Sequence, residues 1–260
     1  MLDFNHASRR PIEDPRADPI SDRINQLIDG AILSKEADKP SRQYVGASSI
    51  GRPCEREIQL GYIHANGLGI QDDPEPFPAK LLRTFAAGHV FEDMLVDLMS
   101  AAGFDMKVKK ADGGQFGFSV LAGRLKGHVD GIIHGGPLPL EYPCIWEAKS
   151  LNNKSWKDTV AKGVAGSKPV YAAQIAINQT YLELGSPAVF TAINKDTSEI
   201  HHELVPFDAK LAQDMSDRAV RIIKTTETGR LLPRSFSSPD HFQCRFCRWS
   251  ETCWNKLPDS

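Results

Sequence analysis

The chain lacks any run of about 18 apolar residues, so the sequence offers no membrane-spanning helix. A surplus of one charge is missing as well. Lys and Arg number 31 against 33 Asp and Glu, a formal net charge of −2, so the overall balance does not announce a polyanionic partner. It does not exclude one either, because lysines can gather at one place and be balanced elsewhere. Met1 to Arg23 is polar and charged, without the apolar core of a secretion signal, which points to the cytoplasm. There is no internal repeat and no low-complexity tract. Cysteine is scarce: five residues, an odd number without a secretion signal, disfavour structural disulfides and make metal binding the first alternative.

What is present suits a folded protein. A 41% apolar and 25% charged composition over 260 residues supports one large domain, or a core with appendages. Residues 1–45 mix Pro, Arg and Asp around one helical stretch at 20–33 and read as a loosely docked arm. Residues 46–260 read as the main domain. Residues 67–78, rich in Gly, Asp and Pro, read as a loop. From 79 to 102, Leu81, Leu82, Phe85, Val90, Phe91, Met94, Leu95 and Leu98 recur at helical spacing. Strand-like runs follow at 106–108, 115–121, 125–133 and 144–148, separated by turn signals at Gly113-Gly114 and Gly135-Gly136-Pro137. A helix at 169–183, strands at 188–194 and 200–205, and a helix at 207–228 complete the order. Helix, strand meander, helix and strand together predict an α/β domain with a mixed central sheet flanked by helices.

Within this frame lie Gly127-His128-Val129-Asp130-Gly131 and, after a turn, Ile145-Trp146-Glu147-Ala148-Lys149. On a strand, Glu147 and Lys149 share one face while Ala148 takes the other, and a hairpin brings Asp130 alongside Glu147. Carboxylates with a lysine supply what phosphodiester hydrolysis needs: hard oxygen ligands for Mg²⁺ or Mn²⁺ and positive charge for the transition state. The bland alternative is a strand end and an exposed same-face pair.

The neighbouring motifs resemble those of the PD-(D/E)XK nucleases, specifically the RecB-like and lambda-exonuclease-like branches. Gly88-His89-Val90-Phe91-Glu92 resembles their G-x-x-x-(H/E) element, in which the residue four after the glycine is a metal ligand. Here that is Glu92, where RecB-type members have histidine; His89, one turn back, is the rival. Tyr171, Gln174, Asn178 and Tyr181 share one helix face and resemble the Q-x-x-x-Y motif, with Asn178 standing where the tyrosine is expected. Between them, Lys154, Lys157, Lys162 and Lys168 with Trp156 suit phosphate contact and base stacking, a solvated basic loop being the alternative. Lys154, Trp156, Lys157, Lys168, Tyr171 and Tyr181 are therefore the candidate nucleic-acid contacts.

Cys244-Arg245-Phe246-Cys247 and Cys253 have metal-ligand spacing but are one thiolate short of a closed site. This arrangement, with Cys54 upstream, resembles iron–sulfur nucleases of the AddB and CRISPR-associated RecB-like type. The resemblance implies that Cys54, Cys244, Cys247 and Cys253 hold a 4Fe-4S cluster, with Zn²⁺ as rival, stapling the two ends of the domain. Cys144 reads as a buried small hydrophobe. The resemblance also implies that Glu92 or His89, Asp130, Glu147 and the Ala148 carbonyl hold one or two Mg²⁺ or Mn²⁺ ions, with Lys149 and Gln174 completing the catalytic set. The expected function is a DNA exonuclease of recombination, repair or phage and CRISPR DNA processing, acting on a free end, with a recombinase, helicase or CRISPR adaptation protein as possible partner. The alternatives are a non-catalytic Cys₄ nucleic-acid-binding module and a subunit active only in complex.

Overall fold

The structure, a computed structural model, describes residues 19–259. The first part of the expected arm, residues 1–18, lies outside them. The chain divides into two compact units. One joins residues 19–40 to Phe77–Ala86. It contains helix α1 (Pro19–Ala37), the expected stretch at 20–33 extended at both ends, and the first turns of α4 (Ala79–Ala101). Within it Arg83 bonds Asp29, and Phe77 meets Phe85 edge-on. No residue of α1 is buried.

The second unit, Ser41–Pro76 with residues 87–259, carries the sheets. It begins with β1 (Val45–Gly46), α2 (Ala47–Ile50) and α3 (Glu55–Ala65). The rest of α4 is followed by β2 (Met106–Lys107), β3 (Gly117–Val120), β4 (Leu125–His128), β5 (Gly131–Ile133) and β6 (Cys144–Leu151). Then come α5 (Asn153–Ser167), α6 (Pro169–Tyr181), β7 (Ala188–Asn194), β8 (Ile200–Val205), α7 (Ala209–Glu227), α8 (Phe242–Arg245) and a π-helical turn, Thr252–Lys256. The architecture is mixed α/β, with mixed sheets and flanking helices. Among the described residues no helix is long and apolar enough to cross a membrane.

The sheet arrangement corrects one expectation. Two sheets replace a single central one: β2-β5-β6-β7-β8, and a smaller β1-β4-β3. The run expected as one strand at 125–133 is two strands, β4 in the small sheet and β5 in the large one. Alternation of inward and outward side chains continues across the break, so the pattern cannot reveal that the pairing partner changes. β6 pairs with β5 antiparallel and with β7 parallel, and the β6–β7 crossover is made by α5 and α6. All seven residues of β7 are buried, as expected of a central strand covered on both faces.

The lysine-bearing segment 152–168, for which a solvated basic loop was the alternative, forms α5. The Asn152 side chain caps its first turn by accepting from Ser155 N at 2.8 Å. The helix kinks at Gly163, whose φ of +69° suits glycine, and the Glu203 carboxylate of β8 accepts from the freed N–H of Val164 at 2.8 Å. At the other end, α3 buries Arg56 completely. Its guanidinium donates to the carbonyls of Leu232 at 3.1 Å and Pro258 at 2.6 Å, while Gln59 bonds Arg230 and Leu232. These bonds tie the C-terminal segment to α3.

Candidate active site

Asp130 stands where the chain passes from β4 to β5. Gly131 pairs with Trp146, so the expected hairpin sets Asp130 beside β6, and its Oδ2 accepts from the backbone N–H of Ala148 at 2.8 Å. Along β6, Trp146 and Ala148 enter a core with Leu95, Met99 and Ile133, while Glu147 and Lys149 face the other way. Glu147 is fully buried. Its Oε1 accepts from Lys149 Nζ and from Gln174 Nε2, the latter at 2.8 Å; its Oε2 is buried with no hydrogen-bond partner. Lys149 Nζ also donates to Ala148 O at 2.9 Å and lies 3.5 Å from Asp130 Oδ2. One cation thus touches oxygens of Asp130, Glu147 and Ala148, the three members of the expected metal-ligand set that lie on or beside β6.

The electrostatics follow from this burial. Desolvation, reinforced by the Asp130 charge, pushes the Glu147 carboxyl up to about 8. Burial alone would lower Lys149, but Glu147 and Asp130 outweigh it and hold the ammonium above the usual lysine range. Glu92 on α4 is half-buried, and its carboxyl is raised by desolvation and by Asp130, with His89 and Lys149 opposing. His89 Nδ1 lies 3.6 Å from Glu92 Oε2, but its side chain is 81% exposed against 29% for Glu92. Of the two rivals, Glu92 is the one turned toward the other carboxylates. Gly88 brings α4 over β6: a Cβ there would stand 3.7 Å from Ser150 Oγ.

Helix α6 supplies the other side. Tyr171 places its ring 5.4 Å from Lys149 Nζ and is itself stacked on Phe190. Asn178, the residue in the tyrosine position of the motif, donates to His128 O at 3.1 Å and so holds the strand just ahead of Asp130. Its Oδ1 and Phe118 Cε1 each lie 2.3 Å from where a Cβ on Gly127 would stand, which reserves that position for glycine. The Asn178 contact escaped the sequence reading, although its i+4 spacing from Gln174 placed it on the right face.

Two of the aromatic residues expected to contact nucleic acid also make packing and hydrogen-bond contacts within the domain. Trp156 points inward against the core around Ile145 and Phe190, donating from Nε1 to Ala192 O at 3.0 Å. Tyr181 packs on Phe118 and bonds Ser216 at 3.2 Å. Both residues are half-buried, each packed on one side against the core. Lys154 and Lys157 are exposed on α5, whereas Lys162 and Lys168 both approach Asp158.

Cys54, Cys244, Cys247 and Cys253 line one cavity, together with Glu57, Arg234 and Trp254. Burial pushes the Cys247 thiol up to about 12, and it raises Cys244 too; Cys54 and Cys253 add to both shifts. Arg234 Nη2 donates to Cys253 O at 2.7 Å and Leu257 O at 2.8 Å, and its guanidinium lies over the Trp254 ring. The sequence reading passed over Arg234, which no motif marks. Cys144 is buried within the β6 core. Among the described residues, no group of three or more His, Cys, Asp or Glu side chains is arranged to hold a single metal ion.

The sequence matches no known protein family model, and no curated protein matches it. The fold, however, is similar to that of a solved structure. LHK-Exo, the alkaline exonuclease of Laribacter hongkongensis, in complex with dAMP superposes with a TM-score of 0.52 at 15% identity, covering 78% of this chain and 93% of that one. Another structure of the same exonuclease gives 0.49 at 14% identity, covering 77% and 93%, and a protein designated SSO0001 gives 0.48 at 14%, covering 90% and 98%.

Proposed function

We propose that this chain is a divalent-cation-dependent DNA exonuclease of the PD-(D/E)XK class, in its RecB-like iron–sulfur branch. The observation that carries the proposal is the convergence of Asp130, Glu147, Gln174 and Lys149 on one buried point. There a carboxylate oxygen, Glu147 Oε2, has no partner. A buried carboxylate oxygen without a hydrogen-bond partner is costly, and it is the donor in this cluster free to take a cation. Asp130, Glu147, Ala148 O and Glu92 would supply hard oxygen donors of the kind Mg²⁺ or Mn²⁺ takes, once drawn around the ion. Lys149 Nζ, touching the first three, marks where positive charge is wanted. The exonuclease that shares the fold, solved with dAMP, supports DNA as the substrate class.

The chain's own residues account for most of the work. Asp130 is aimed by the Ala148 N–H, and Glu147 by the Gln174 amide. Lys149 stays protonated at neutral pH, so it serves as a fixed positive charge for the developing phosphorane and leaving oxygen and not as a base. The divalent ion would supply Lewis acidity toward the phosphate and a more acidic attacking water. Glu147 ionises more readily beside such an ion, which removes the penalty that now raises it.

The cysteine cavity supports a 4Fe-4S cluster on Cys54, Cys244, Cys247 and Cys253. These thiols line one cavity, and the resemblance in cysteine spacing favours iron over zinc, which a four-cysteine site also accepts. Its role there is to staple α3 to the C-terminal segment, alongside Arg56 and Gln59.

The test is hydrolysis of end-labelled single- and double-stranded DNA with Mg²⁺ or Mn²⁺. Stepwise release of mononucleotides is expected. Cation-independent binding without any cleavage would instead make the chain a binding module, and cleavage only after adding a partner would make it a subunit.

A further inference from the structure

From Leu125 to Gly131 the chain alternates strictly between buried and outward positions. Leu125, Gly127, Val129 and Gly131 are buried, while Lys126, His128 and Asp130 are not. One row of side chains therefore runs from the small sheet to the carboxylate of the candidate site. At about 3.3 Å per residue, Lys126 and Asp130 stand about 13 Å apart along this row. A single polynucleotide strand can touch both.

The end of the row remote from Asp130 is cationic. Lys126 Nζ lies over the Tyr44 ring at 5.1 Å, which holds its long side chain in one place. Arg42 lies just ahead of β1, which pairs with β4 through Val45 with Leu125 and Gly46 with Lys126. The turn of Lys110 leads to Phe116, whose carbonyl accepts from Val129 N at 3.0 Å, so both cations come from the segments that flank β4. Arg42 and Lys110 are exposed, and Lys110 is fixed by the backbone turn it closes with Gly113 and Gly114. Neither these two nor Lys126 has a carboxylate partner among the described residues. Nearby cations differ: Arg124 bonds Glu227, Lys107 pairs with Asp105, and Lys168 with Asp158. Like charges gathered without a counter-charge repel one another until an anion lies among them.

We infer that Arg42, Lys110, Lys126 and His128 form a phosphate-binding track that feeds a DNA strand along the β4 face into the site at Asp130, Glu147 and Lys149. The inference deepens the nuclease reading, on which it relies for what happens at the end of the track. It also explains why a chain of net charge −2 can hold a polyanion: the positive charge is local. It shifts the nucleic-acid contacts from α5, where Trp156 turns inward, to the small sheet.

The experiment is fluorescence anisotropy of labelled single- and double-stranded DNA without divalent cations, across a salt series. The wild-type chain, Arg42→Ala/Lys110→Ala/Lys126→Ala, the charge-preserving Arg42→Lys/Lys126→Arg, and Lys224→Ala, an exposed lysine of α7, are compared. Loss of three phosphate contacts should weaken binding at least about tenfold and reduce the single-strand salt slope by about two, at roughly 0.7 per contact. Lys224→Ala and the charge-preserving variant should keep the wild-type slope, the latter showing that charge and not folding is at stake. Wild-type affinity and slope in the triple variant overturn the track, as does a wild-type chain that binds no DNA. Binding through the track without cation-dependent hydrolysis leaves the track standing and removes the nuclease reading. Hydrolysis with unaltered binding in the triple variant does the reverse.

Discussion

Lys149 and Gln174 donate to the same atom, Oε1 of Glu147, although they come from different elements, β6 and α6. The other oxygen of that carboxylate is left bare inside the protein. This asymmetry orients the carboxyl so that its unpaired lone pairs are the ones left to a ligand.

Lys149→Ala removes the fixed positive charge. Cleavage should fall by about 10²–10³-fold or more while DNA affinity measured without divalent cation stays within a few-fold of wild type. Asp130→Ala should behave in the same way in end-labelled assays. Undiminished cleavage in either variant would falsify the assignment of the site.

The burial of Glu147 has a pH signature. Its folded carboxyl is raised from the ordinary 4.5 to about 8, so the protein is stabilised by holding it neutral. That contribution is complete below about pH 4.5 and is lost as pH rises toward about 8. Glu147→Gln cannot ionise and lacks this dependence. Metal-free wild type should therefore lose Tm relative to Glu147→Gln between about pH 5 and 8.5, and Mg²⁺ or Mn²⁺ should recover the loss in wild type alone. Parallel melting curves of the two proteins across this range count against the buried, raised carboxyl.

Tyr171 sets its ring beside the Lys149 ammonium and is backed by Phe190. A cation–π contact of this kind contributes about 1 kcal/mol. Tyr171→Leu should lower kcat roughly fivefold with little change in KM, and Tyr171→Phe, which keeps the ring, should restore it. Equal losses in both variants would point to the hydroxyl instead.

Gly127→Ala drives a methyl into Asn178 and Phe118. Overpacking of this sort costs about 1–3 kcal/mol. Denaturant melts should show the loss, and adding Asn178→Ala should return only part of it, since Phe118 remains in the way.

The cysteine centre is read most directly by colour. Anaerobically purified protein should be brown with broad visible absorption, and Cys54→Ser or Cys247→Ser should lose both colour and thermal stability. A colourless, zinc-containing wild type would show that the occupant is zinc.

The sequence made some parts of this structure plain and hid others. Strands at 188–194 and 200–205 were legible because β7 is rich in apolar and β-branched residues, interrupted only by Thr191 before Asn194 ends it, and β8 follows it after a short polar turn. Asp130, Glu147 and Lys149 were legible because period-two spacing alone puts two of them on one face. The split of 125–133 into two sheets was hidden, since a change of pairing partner leaves the alternation intact. The inward turn of Trp156 was hidden too: its Nε1 is satisfied by a carbonyl of β7, a contact 36 residues away. The same holds for Arg56, whose partners belong to the last part of the chain. Charge in the sequence reads as surface, and only tertiary carbonyls can show otherwise.

The unbroken alternation from Leu125 to Gly131 behaves as a frame as well as a row. Phase, and not merely identity, decides which way Asp130 looks. Adding or deleting one residue between Lys126 and Asp130 would turn the aspartate into the interior and present Val129 in its place, with every residue of the site still encoded. A substitution in this segment leaves that phase intact, whereas a change of one residue in its length does not.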